Sequence, residues 1–164
     1  MDLKNYPLKD LLLTSIKSEV EANHLYSNLS EKVGSSFLKD RLRFIANEEI
    51  KHRQFLESIY KSHYPGDDII LPEESAVPMP GVDIPENVAL VSEVISQAME
   101  GEKVASDFYL ALSEIYEGDD ETRKTLKYLS DMESGHYNLL EVEYNRLRDE
   151  EDYEIEWEMM HAGP

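Results

Sequence analysis

The feature that most constrains this chain is an internal repeat that spans nearly all of its 164 residues. With a shift of 83 residues the halves align at the pairs Glu19/Glu102, Ala22/Ala105, Tyr26/Tyr109, Leu29/Leu112 and Glu31/Glu114. With a shift of 84 they align at Gly34/Gly118, Leu42/Leu126, Glu49/Glu133, His52/His136, Leu56/Leu140 and Tyr60/Tyr144. Such a repeat predicts two copies of one supersecondary unit.

Each copy is predicted to be a helical hairpin. A proline opens a helix at its first turn, a glycine ends it, and a serine or aspartate caps the next helix. These signals are Pro7, Gly34 and Ser35 or Ser36 in the first half, and Pro85, Gly118 and Asp119 or Asp120 in the second.

Between the hairpins lies a proline-rich crossover, predicted at about residues 62–86, which contains five of the seven prolines. Fully extended, it reaches ~70 Å, more than the ~39 Å length of a 26-residue helix. It can therefore run the length of a bundle. The prediction is an all-α fold: a four-helix bundle over residues 1–149, built from two antiparallel hairpins and followed by an acidic tail at 150–164.

Each predicted helix has an apolar stripe at spacings of three and four, and a carboxylate interrupts every stripe. The first and third stripes are Leu12, Ile16, Glu19, Ala22, Tyr26, Leu29, Val33 and Val91, Ile95, Ala98, Glu102, Ala105, Tyr109, Leu112. The second and fourth are Leu42, Ile45, Glu49, His52, Leu56 and Leu126, Leu129, Glu133, His136, Leu140. Glutamate and histidine thus occupy positions that face the core.

Glu-x-x-His spacing by itself is a weak signal, because a surface glutamate and a hydrogen-bonded core histidine explain most instances. Four such pairs occur here: Glu21/His24, Glu49/His52, Glu133/His136 and Glu158/His161. Only the second and third lie on the apolar stripes at equivalent positions of the repeat. The first and last are predicted to be solvated.

Four buried carboxylates with two neutral imidazoles would leave about four negative charges without compensation, and the stripes offer no Lys or Arg. Two divalent cations would compensate them. With no cysteine in the chain, thiolate sites are excluded, and an oxygen-rich set with imidazoles favours iron or manganese. The predicted metal ligands are Glu19, Glu49, His52, Glu102, Glu133 and His136.

The net charge of -19 argues against nucleic acid or an anionic membrane as a partner. The start of the chain lacks the basic and long apolar regions of a secretory signal, and no run of apolar residues approaches a membrane span. We therefore expect a cytoplasmic protein.

Over roughly residues 8–148, the pattern of Glu19, Ala22 and Tyr26, then Glu49 and His52, repeated in the second half, resembles the rubrerythrin branch of the ferritin-like superfamily. The resemblance implies a di-iron four-helix bundle, commonly homodimeric, that reduces hydrogen peroxide or oxidises ferrous iron with dioxygen under oxidative stress.

Two departures from that family matter. Rubrerythrins proper carry a cysteine-ligated rubredoxin module, whereas this chain has no cysteine, so electrons must come from an external donor protein or from ferrous iron. Relatives also tend to carry a further glutamate three residues after the third-helix ligand, where this sequence has Ala105. Slower peroxide reduction is the expectation.

Two features have more than one interpretation. Tyr26 and Tyr109 lie two turns beyond a ligand glutamate and either pack as core aromatics or assist as hydrogen-bonding or redox groups. The tail is either a solvated extension or, through Trp157, Met159 and Met160, a segment that docks on the bundle or a partner.

The predicted function is a di-iron oxidoreductase that reduces hydrogen peroxide or dioxygen. The alternatives are a non-catalytic iron-binding or storage protein of ferritin type, and a structural bundle whose site has decayed.

Overall fold

The computed structural model describes residues 3–73 and 91–161, with side chains through residue 150. It contains four helices: α1 (Leu8–Lys32), α2 (Ser36–His63), α3 (Val91–Ile115) and α4 (Asp120–His161). The all-α bundle of two hairpins predicted from the repeat is confirmed.

The helix ends follow the predicted signals where the structure describes them. Pro7 precedes α1, and the Ser35 side chain accepts a hydrogen bond from the backbone N–H of Leu38 at 3.4 Å. Asp119 caps α4 by accepting from the backbone N–H of Thr122 at 2.8 Å. At Gly118 an added Cβ would clash with the end of the Tyr116 side chain, so a larger residue there would require that ring to move.

Hydrogen bonds across the bundle define its topology. Tyr26 in α1 bonds to Glu102 in α3, and Tyr109 in α3 bonds to Glu19 in α1, so α1 and α3 are antiparallel. The second hairpin therefore begins at the bundle end opposite to the end of α2. The crossover must span the bundle, as its length predicts.

The start of the crossover lies along α1. Lys9 forms an ion pair with Asp67 at 2.7 Å, and Lys17, further along the helix, donates to the backbone carbonyl of Glu73. The rest of the crossover, including the predicted helix start at Pro85, lies outside the described residues.

The hydrophobic core is divided into two clusters. One, at the end where α1 begins, is centred on residues such as Leu12, Leu56 and Leu112. The other, at the opposite end, includes Leu29, Leu42 and Ile95. The predicted ligand residues belong to neither cluster, so a polar layer separates two apolar ones.

Two details at the ends of α3 and α4 were not predicted from the sequence. Val91, which the third stripe includes, is 38% exposed. The helix α4 continues past residue 149 to His161. None of the helices in the described part of the chain is long and apolar enough to cross a membrane.

Candidate metal centre

Six buried side chains meet in the polar layer at the middle of the bundle. Each is at most 4% exposed, and together they are Glu19 of α1, Glu49 and His52 of α2, Glu102 of α3, and Glu133 and His136 of α4. Each helix contributes its residues at the position where charge interrupts the apolar stripe. All six sequence-predicted ligands are therefore brought together.

The six residues form two overlapping sets of four whose ligand atoms lie within 4.8 Å of one another. In the first set, Nδ1 of His52 lies 2.9 Å from Glu133 Oε1, 3.0 Å from Glu49 Oε2 and 3.6 Å from Glu19 Oε2. One imidazole N–H cannot donate to three carboxylates at once. Convergence of this kind is typical of atoms arranged around a cation.

The second set repeats this geometry with the other histidine. Nδ1 of His136 lies 3.1 Å from Glu49 Oε1, 3.2 Å from Glu133 Oε2 and 3.6 Å from Glu102 Oε2. The two imidazole rings are stacked, with centroids 5.4 Å apart. The two sets are thus related by the repeat in the sequence.

The individual oxygens distinguish two roles for the glutamates. Glu49 and Glu133 each direct one oxygen to His52 and the other to His136, which is the arrangement of bridging carboxylates. Glu19 approaches only His52, and Glu102 only His136. The sequence alone does not indicate which pair bridges.

The two tyrosines on the apolar stripes contact Glu19 and Glu102 across the bundle. Because each of these glutamates approaches only one histidine, we call them the terminal carboxylates. Tyr26 donates to Glu102 Oε1 and Tyr109 donates to Glu19 Oε1, in both cases from the other half of the repeat. From sequence, each tyrosine is nearest the glutamate of its own helix. The exchange follows from the antiparallel packing of α1 and α3.

Burial and mutual repulsion control the protonation of the terminal carboxylates. Burial, followed by the negative charges of Glu133 and Glu49, raises the pKa of Glu19 well above its ordinary value. Burial and the charge of Glu133 likewise raise the pKa of Glu102. Without metal, both effects favour the protonated form of these two carboxyls.

The pKa values of the two histidines are raised, whereas burial alone would lower them. Burial lowers the pKa of His136, but hydrogen bonds to Glu102, Glu133 and Glu49 outweigh it and raise the pKa to about 12. The pKa of His52 is raised for the same reason by Glu133, Glu19 and Glu49. Burial would raise the pKa of Glu133, but bonds from His136 and His52 lower it to about 2. Protons thus supply the positive charge that metal ions would bring.

The site retains polar atoms that no described group satisfies. Glu133 Oε1 and Glu49 Oε1 lie near Nδ1 of His52 and His136 but make no well-directed hydrogen bond to any described residue. The Nε2 atoms of both histidines are likewise buried without a partner among the described residues. Unsatisfied buried acceptors cost stability, and a bound cation would satisfy them. The donor set, four carboxylates and two imidazoles, fits two hard divalent ions.

Of the other two Glu-x-x-His pairs, the one whose side chains the structure describes does not join this site. Glu21 and His24 are exposed on the outside of α1, as their register predicts. The side chains of Glu158 and His161 lie outside the described residues. Sequence reasoning missed one further buried carboxylate, Glu143 of α4, which is 3% exposed and one turn beyond Leu140 on the inward face.

The fold and this site are those of a carboxylate-rich four-helix bundle, and the Glu/His cluster is compatible with a di-metal centre. Comparison with known proteins agrees: the sequence model of the family described as Rubrerythrin matches residues 10–152. The chain belongs to the rubrerythrin family.

A solved structure titled "Hypothetical Protein Pfu-1136390-001 From Pyrococcus furiosus" is similar, with 32% sequence identity and a TM-score of 0.81. The match covers 90% of this chain and 94% of that one, so the two share the fold over nearly their whole length. No curated protein matches the chain in sequence.

Proposed function

We propose that the protein is a di-iron oxidoreductase that reduces hydrogen peroxide or dioxygen. The observation that carries the proposal is the buried set of four glutamates and two histidines, in which Glu49 and Glu133 are placed to bridge two ions. When two irons are bound, they would cycle between ferrous and ferric states and supply electrons to the oxidant.

The chain's own residues hold and shield this centre. His52 and His136 each direct Nδ1 toward the carboxylates. Glu19 completes the ligand set around His52, and Glu102 completes the set around His136. All six side chains are nearly inaccessible to water, so side reactions with solvent are suppressed. Two apolar clusters above and below keep the carboxylates at fixed separations.

Tyr26 and Tyr109 act as positioning residues in this proposal. Their hydroxyls fix one oxygen of Glu102 and Glu19, leaving the other oxygen of each to face the histidines. Burial, followed by the charge of the accepting glutamate, raises the pKa of both phenols well above 10.0. Both tyrosines therefore remain hydrogen-bond donors at neutral pH.

The electron source and the oligomeric state belong to the proposal as well. Because the chain has no cysteine, we expect an external electron donor protein, or ferrous iron itself, to supply reducing equivalents. We expect a cytoplasmic homodimer with no nucleic-acid or membrane partner, as charge and family resemblance suggest.

One experiment separates this function from iron storage. The purified protein is loaded anaerobically with ferrous iron and mixed with hydrogen peroxide or dioxygen in a stopped-flow spectrophotometer, with and without a reducing partner. Repeated turnover supports the oxidoreductase. A single oxidation followed by iron retention, or a particle of ferritin size, supports storage and contradicts the proposal.

A further inference from the structure

The outer surface of α2 carries an unusual line of aromatic side chains. Of the four phenylalanines, Phe108 is fully buried, whereas Phe37, Phe44 and Phe55 are 47%, 48% and 44% exposed. Their spacings of seven and eleven residues place them on one line along the helix. The line is ~27 Å long, from 18 residues at ~1.5 Å each.

This aromatic line lies among exposed cations. The helix α2 carries six of the chain's 16 Lys and Arg residues against four acidic residues, one of which is the metal-site Glu49. On the line itself, the side chain of Lys51 is 59% exposed, but that of its partner Glu48 only 13%. Arg41 and Arg146 both lie over the Phe37 ring, at 4.9 and 5.5 Å. The face is apolar and rich in cations in a chain of net charge -19, although Arg41 lies 3.9 Å from Glu143 and Arg146 lies 3.0 Å from Glu150.

The acidic end of α4 is complementary to this face. Residues 150–161 contain six Asp and Glu residues and no Lys or Arg. Within this segment Tyr153, Trp157 and Met160 recur at spacings of four and three, the period of an apolar stripe on a helix. The other two apolar residues, Ile155 and Met159, are also four apart and fall on the opposite side of the helix. An acidic helix that carries such an apolar stripe is suited to a face lined by aromatic rings and cations.

Only the first residue of this segment, Glu150, comes near its own α2, through Arg146 over the Phe37 ring, and the geometry of α4 carries the rest past it. Arg41 lies beside Glu143 and Phe37 beside Arg146, so the start of α2 is level with residues 143–146 of α4. Residues 150–161 continue the same helix past that level, by ~18 Å for twelve residues. Docking within the chain would require α4 to break.

We propose that residues 150–161 of one chain dock on the Phe37–Phe44–Phe55 face of a second copy, reciprocally, to form a twofold dimer. A two-fold axis perpendicular to the bundle places each acidic segment along the other chain's α2. The competing arrangement, α2 against α2, would set two positive faces together. The helix that presents Glu49 and His52 to the metal centre thus becomes the dimer interface.

Trp157 provides a direct test, because it is the only tryptophan in the chain. Its fluorescence emission should be blue-shifted at high protein concentration and move to the red on dilution, in step with dissociation measured by light scattering. Emission that is independent of concentration while the mass changes would overturn the proposal.

Charge reversal tests both sides of the contact in full-length protein. Arg41→Glu with Lys51→Glu should weaken the dimer at least ~100-fold, and so should Glu154→Lys with Glu158→Lys, since like charges across an interface are strongly unfavourable. Mixing the two variants should restore a heterodimer, because both contacts then pair opposite charges. The control Lys32→Glu with Lys103→Glu changes the same charge on α1 and α3 and should leave the dimer intact.

A second variant tests the same contact without reversing any charge, so that a misfolded charge-reversal variant does not decide the result. Phe44→Gln alters only an exposed ring, and should weaken the dimer and shift Trp157 emission while far-UV circular dichroism stays unchanged. The proposal is wrong if Phe44→Gln and both charge reversals remain dimeric, or if the mixture of the two reversals stays monomeric.

Discussion

The two halves of this chain are alike inside the bundle and different outside it. In the core, the repeat preserves not only the ligands but also their hydrogen bonds: Asn23 of α1 donates to the Ala46 carbonyl, and Ser106 of α3 donates to the equivalent Ser130 carbonyl. On the surface, Phe37 of α2 aligns with Glu121 of α4 and Phe55 with Leu139, whereas Phe44 aligns with another exposed aromatic, Tyr128.

This difference shows where the sequence is constrained. The two overlapping ligand sets need the same distances on both sides, so a change in one half would distort the site shared with the other. Surface positions have no such requirement and are free to serve separate interactions. Four predictions test how far the equivalence of the halves extends.

The largest effect is expected at the bridging carboxylates. Glu49→Ala and Glu133→Ala should each reduce bound metal from ~2 ions per chain to below one, because each glutamate serves both sets. Glu19→Ala and Glu102→Ala should each lose about one ion, and His52→Ala and His136→Ala should resemble them. Metal content by mass spectrometry measures this, with His24→Ala and His161→Ala as controls. Unequal losses within a pair would break the equivalence, and undiminished metal in all six would refute the site.

The next effect concerns stability with and without metal. In the metal-free protein, the raised pKa values of Glu19 and Glu102 contribute stability at low pH that is lost as pH rises above the ordinary 4.5. The raised pKa of His136, about 12, contributes stability that declines as pH rises above 6.5. Glu133, with a pKa of about 2, stays ionised above pH 5.

The metal-free protein should therefore become less stable from pH 5 to pH 8, while metal replaces the protons in the loaded protein. At 100-fold excess over Kd, metal binding contributes about 2.7 kcal/mol, or roughly 5–10 °C in Tm. The Tm difference should widen with pH in thermal scans. A constant difference, or one that narrows, would contradict the shared buried site.

A smaller effect is expected from the tyrosines. Tyr26→Phe leaves Glu102 Oε1 without its donor, and Tyr109→Phe does the same to Glu19 Oε1. Each substitution should cost about 1–3 kcal/mol in denaturant unfolding, the cost of an unsatisfied buried acceptor. The exposed Tyr128→Phe should change little. A large loss from only one of the two would show that the terminal carboxylates are not equivalent.

The subtlest prediction compares Ala105 with its equivalent, Ala22. A glutamate at either position would lie one turn from a ligand and could offer the metals a further oxygen. We expect the native protein to oxidise its ferrous centre readily with dioxygen but to reduce peroxide slowly, and Ala105→Glu to gain peroxide turnover. The same measurement on Ala22→Glu shows whether a glutamate at the equivalent position in the first half of the chain gives the same gain in peroxide turnover. If Ala105→Glu binds two irons without any gain, this account of the substrate preference is wrong.

The sequence by itself determined the four helices, most of their ends and the six residues that meet in the candidate metal centre. Local signals suffice for helix ends, since Pro7, Ser35 and Asp119 act on neighbouring backbone groups. The ligand positions followed from the repeat and from helical periodicity. A charged residue on an apolar stripe faces the core, where it lies beside the charged residues at equivalent positions of the other helices.

Tertiary structure alone decided which individual atoms of these residues contact one another. Glu49 and Glu133 each face both histidines, the placement that a bridging role would need, and no spacing along the chain encodes that placement. The exchange of partners between Tyr26 and Tyr109 required the antiparallel packing of α1 and α3. The exposed line of phenylalanines appeared only when the packing showed which side of α2 remains uncovered, because periodicity orders residues around a helix but does not say what covers them.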